Sequence, residues 1–78
     1  MQDKYTSGNK DLEKVGVRIL MVREAKNLSN EELSRKSGLD GNLLSRIEQG
    51  LEDISFLAFL DLSAALEISP SQLLKIDD

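Results

Sequence analysis

Small polar residues punctuate this chain where helices would start. Ser29, Asp40, Ser55 and Ser69 each precede a short stretch with apolar residues at helical spacing. A side-chain oxygen there can take up a backbone N–H that the first turn leaves unpaired. Ser29-Asn-Glu-Glu32 reads as a capping box, with the Ser29 hydroxyl accepting from the N–H of residue 32 and Glu32 reaching back. Gly38 and Gly50 follow the stretches that Ser29 and Asp40 open, and glycine suits the left-handed conformation past a helix end. Asn27 tolerates that conformation too and ends an earlier helix starting at Asp11, with Leu12, Val15, Ile19 and Val22 on one face. No stretch carries a strand pattern. The expected fold is all-α and compact, with five helices. After the first, the second reaches about Ser37, the third spans roughly 41–49 and the fourth runs from Ser55 to about Glu67. Ser69-Pro70 starts the last, since proline fits a first turn.

Leu33, Leu39, Leu44 and Ile47 point to a shared core, with Leu39 plugging the turn between the second and third helices. The small Ser34 sits where those two helices would cross most closely. Phe56, Phe59, Leu62, Ala65 and Leu66 form the expected core face of the fourth helix, and Leu73 and Leu74 are expected to close the core. With 78 residues there is room for one domain. It is expected over residues 11–75, after a flexible N-terminal arm over residues 1–10 and before a tail at 76–78.

There is no Cys and no His. That removes disulfides, thiol nucleophiles, imidazole bases and the usual zinc ligands. Glu52 and Asp53 in the short acidic loop are too few oxygens to cage a hard cation. No catalytic residue, metal or cofactor is expected. The polar stretch from Met1 to Asn9 lacks the apolar core of a signal peptide, and no apolar run reaches the length of a membrane span, so the expected location is cytoplasmic. The net charge is −4, which taken alone argues against nucleic acid. The charge is unevenly spread, however: residues 1–46 carry a net +2 and residues 47–78 a net −6. One face could therefore meet phosphate while another turns away.

Two short helices joined by a Gly-containing turn of about three residues are the layout of a helix-turn-helix. The run Val15-Gly-Val-Arg-Ile … Val22-Arg23 … Leu28-Ser-Asn-Glu-Glu-Leu33 … Gly38-Leu39 … Leu44-Ser-Arg-Ile-Glu48-Gln-Gly50 resembles the XRE family of Cro/lambda-repressor-type domains. Ser55-Phe56 … Phe59 … Ala65-Leu66-Glu-Ile-Ser69 … Leu73-Leu74 resembles that family's last two helices. The resemblance spans about residues 12–74. It implies a DNA-binding transcriptional regulator whose third helix, about 41–49, enters the major groove while the second crosses the backbone.

Carried over position by position, the resemblance implies that Gly41, Asn42, Leu43, Ser45 and Arg46 face the groove. It also implies that Asn30 holds a phosphate beside backbone N–H groups. Arg46 can fork onto guanine or clamp phosphate, Asn42 can pair with adenine, and Leu43 can meet a thymine methyl group. Gly41 departs from the long polar or basic residue of many relatives. Either it permits close backbone approach, or binding is poorly selective. Arg35 and Lys36 are phosphate contacts or the solvated face of the second helix. Arg23 and Glu48 match family positions that form an internal salt bridge.

Helix four carries an apolar surplus. Leu57, Leu60 and Ala64 lie off its core face, and such a stripe is usually partner surface or an extra core contact. A homodimer on a palindromic operator suits the resemblance. The short controller proteins of restriction-modification systems are similar in helix four and around Asp40, and pair through their C-terminal helices, although Gly41-Asn42-Leu43 departs from their pattern. Leu20 and Met21 are a second surplus, open to another protein. The alternative function is a protein-interaction module of the same fold with lost or weakened DNA binding.

Overall fold

A computed structural model describes residues 10–75. Its five helices are α1 (Lys10–Ala25), α2 (Asn30–Ser37), α3 (Gly41–Glu48), α4 (Phe56–Ala65) and α5 (Pro70–Leu73). Most of the arm expected over residues 1–10, and the whole of the tail at 76–78, lie outside the described residues. Lys10 is a correction to that arm: it opens α1, whose first turn carries Asp11 and Glu13, acidic groups that favour the positive end of a helix.

The caps decide where the elements begin. Ser29 closes the capping box, its Oγ accepting from Glu32 N at 3.0 Å and its N–H donating to Glu32 Oε1 at 2.8 Å. Asp40 Oδ2 accepts from Asn42 N and Leu43 N at 3.0 and 3.2 Å. Ser55 and Ser69 accept from the N–H groups of Ala58 and Gln72.

The ends of α1, α3 and α4 share one device. A residue at positive φ turns the chain, and the next N–H reaches back into the helix. Asn27 (φ 59) passes Leu28 N to Arg23 O, Gly50 (φ 75) passes Leu51 N to Arg46 O, and Glu67 (φ 57) passes Ile68 N to Ser63 O. The fourth helix ends at Ala65, short of the expected Glu67, because the chain turns at Glu67 and brings Ile68 back against the core.

Ile19, Val22, Leu33, Leu44, Ile47, Leu62, Leu66 and Leu73 form the buried core. Burying each large side chain contributes about 1.5–3 kcal/mol. Ala58 and Ser63 fill the remainder of the inner face of α4. Two core expectations fail at the edge: Phe56 is 74% exposed and Leu74 53%. Both flank helix termini. Phe56 follows the Ser55 cap directly and Leu74 follows the last residue of α5, so each lies past the rim of the core and lines an open groove with Val15, Phe59 and Pro70.

Candidate nucleic-acid interface

Helix α3 is only eight residues long, and other elements hold it at both ends. At its C-terminal end α1 crosses at Gly16. A Cβ there would collide with the Ile47 carbonyl oxygen and come within 2.8 Å of that of Glu48. Beside the crossing, Arg23 Nε and Nη2 donate to the two Glu48 carboxylate oxygens at 2.8 and 3.2 Å, and Nη1 donates to Leu28 O at 2.9 Å. The side chains are 13% and 7% exposed, so this is a forked, sheltered pair. The hydrogen bond to Glu48 holds the Arg23 guanidinium above its ordinary pKa, outweighing the opposing effect of burial.

At the N-terminal end α2 does the holding. Ser34, half-buried, donates from Oγ to the Leu39 carbonyl in the turn. Asn30 Nδ2 donates to Ser45 Oγ at 3.2 Å. Gly41 lies under this bond, where a Cβ would sit 3.1 Å from Asn30 Oδ1 and 3.8 Å from Ser34 Oγ. A methyl group there would press on the Asn30 amide, a side-chain tip that can shift.

With Leu44, Ile47 and Glu48 buried, the outer face of α3 is defined. Asn42 and Arg46, four residues apart, are both exposed and share that face. Gly41 and Ser45 are half-buried beside them, as is Asn30 on α2. Leu43 is half-buried and packs against the core cluster, so only part of it is left for another molecule. Arg35 and Lys36, in the last turn of α2, are exposed. The backbone N–H groups of Asn30 and Glu31 make no hydrogen bond among the described residues, as the first turn of a helix leaves them.

Sequence reasoning missed two residues. For Gly16 a signal exists, because a glycine inside a helical stretch marks a close approach. Glu52 had no signal. It accepts from Arg46 Nε at 3.0 Å across the loop after α3. Of the other surfaces, Leu57 and Ala64 on α4 are exposed and Leu60 is half-buried, while Met21 on α1 is exposed and Leu20 half-buried. Among the described residues no helix is long and apolar enough to cross a membrane.

Comparison with known proteins agrees with this geometry. The family model described as helix-turn-helix matches residues 19–73. The restriction-modification controller protein C.AhdI from Aeromonas hydrophila is similar at 41% identity over 82% of this chain and 97% of its own, with a TM-score of 0.81. The biofilm master regulator SinR, solved in complex with DNA, is similar at 35% identity over 78% of this chain and 98% of its own, TM-score 0.74. The controller protein C.Esp1396I is similar at 28% identity over 81% of this chain and 83% of its own, TM-score 0.77. A search of curated proteins finds no match. These relatives are controller proteins and a master regulator, and the chain belongs to the helix-turn-helix family of the Cro/lambda-repressor type.

Proposed function

We propose that the chain is a sequence-specific DNA-binding transcriptional regulator that acts as a homodimer in the cytoplasm. The observation that carries this reading is the two-sided character of α3. Its inner side is pinned by Leu44, Ile47 and Glu48, while Asn42 and Arg46 stand exposed on the other. A helix held that rigidly can present side chains to base edges without losing order on binding. In this reading Arg46 and Asn42 reach bases, Ser45 and the free part of Leu43 flank them, and Gly41 admits the backbone closely. Asn30, with the open N–H groups starting α2, holds a phosphate. Leu57, Leu60 and Ala64 pair two protomers, so that two α3 helices meet half-sites of a palindromic duplex about 34 Å apart. Membership of a family whose relative SinR is seen with DNA supports the same reading.

The test is fluorescence anisotropy with duplex DNA from upstream of the chain's own gene, against a scrambled duplex, at low and near-physiological salt. The expected result is preference for the native duplex, weakening steeply with salt, and loss of that preference in Arg46→Ala. Enrichment of no sequence from a randomised duplex pool would sink the proposal. A second reading, a protein-interaction module working through α4 or Leu20 and Met21, is favoured by the net charge of −4 and the 57% exposure of Met21. It predicts partner binding that is indifferent to salt.

A further inference from the structure

The outer face of α3 carries one arginine, and that arginine already has a partner. Arg46 donates from Nε, the inner nitrogen of its fork, to Oε1 of Glu52 at 3.0 Å. Neither terminal nitrogen bonds to any described residue. The side chains are 48% and 40% exposed, so the pair can open and close without rebuilding the core. Glu52 has no capping duty to explain it. Ser55 caps α4, and Asp53 Oδ1 accepts from Ile54 N.

We infer that Glu52 is a positioning residue for Arg46 that sets how sharply the protein discriminates between DNA sequences. This rests on the proposed role of α3. Holding the guanidinium at Nε restricts a long, flexible side chain and leaves Nη1 and Nη2 without a partner among the described residues. That planar pair of donors matches O6 and N7 of guanine. A phosphate oxygen, by contrast, accepts from any donor on any sequence. The Glu52 carboxylate, within hydrogen-bond reach of the arginine, repels phosphate there for every sequence, while the guanine contact is gained on one. Glu52 therefore lowers non-specific binding more than specific binding.

The test starts by selecting duplexes from a randomised pool with the wild-type protein. Anisotropy then compares a selected and a scrambled duplex for wild type, Glu52→Ala, Glu52→Gln, Arg46→Ala and the Arg46→Ala/Glu52→Ala double variant, with thermal melts to check folding. In Glu52→Ala, scrambled-duplex affinity should rise and the log–log salt slope should steepen by about one. The ratio of selected to scrambled affinity should fall roughly three- to tenfold. Glu52→Gln, which keeps the accepting oxygen, should retain part of the ratio. On the Arg46→Ala background the Glu52 change should leave the ratio unaltered. An unchanged ratio in Glu52→Ala, or an equal fall with and without Arg46, overturns the inference while the role of α3 stands. Failure of the wild type to enrich any sequence overturns both.

Discussion

At the scale of single residues, two groups outside the outer face of α3 decide whether that face exists. Gly16 lets α1 pass against the last carbonyls of α3. Backbone atoms on both sides cannot step aside, so Gly16→Ala should destabilise by about 2–4 kcal/mol, read by urea melts. The added methyl touches nothing on the outer face, yet DNA affinity should fall with stability. Glu48→Gln should cost roughly 3 kcal/mol, because it leaves the sheltered Arg23 guanidinium without its counter-charge. A double variant replacing both by apolar residues should recover much of the loss. Only the family resemblance points to this salt bridge, and the sequence contains no other trace of it, since residues 23 and 48 meet only once α1 and α3 cross. Gly16 is similar: the glycine is visible, but what it lies against is a tertiary fact.

At the scale of elements, short-range chemistry made most boundaries readable. Ser29, Asp40, Ser55 and Ser69 cap the helices they precede because a cap involves neighbours two or three residues away. The end of α4 was less legible. Glu67 adopts a left-handed conformation that glutamate rarely takes, and Ile68, packed against the core, accompanies that turn. Periodicity points Phe56 inward but says nothing about how far the core extends beyond a helix terminus. The capping box gives α2 a pH response. Hydrogen bonds from the Ser29 backbone N–H and then its side chain hold Glu32 below its ordinary 4.5. A carboxylate whose folded value is depressed stabilises the fold above the unfolded value, and that stabilisation is lost as pH falls through the folded one. Melting temperature should therefore drop as pH falls below about 4.5, and Glu32→Gln should show a smaller drop over the same window. An identical acid profile in both proteins would remove Glu32 as a contributor.

At the scale of the whole molecule, the exposed apolar surface exceeds the stripe expected from α4. Leu57 is 71% exposed and stands next to Phe56, whose groove continues over Phe59 to Leu74. A homodimer covering this region should show a melting temperature that rises with protein concentration. Leu57→Glu should sediment as a monomer, lose that concentration dependence and bind a palindromic duplex at least tenfold more weakly, while keeping its helical spectrum. A wild type that sediments as a monomer at every accessible concentration would remove the dimer. This surface was only partly legible because a helical wheel finds surplus apolar positions, whereas their merging with α5 depends on where the chain turns after Glu67.

The grip on α3 from both sides also sets the mechanical character of the domain. Gly16 and the Arg23–Glu48 fork clamp one end, and Asn30, Ser34 and Gly41 close on the other. The helix is suspended like a rung between two rails and has no hinge of its own. If two such domains are joined back to back, the distance and angle between their rungs are fixed by the joint. An extra base pair between half-sites rotates one by about 35° relative to the other. Where that joint is stiff, the duplex must twist or bend to accommodate it, and spacer length becomes a property read by stiffness as much as by sequence.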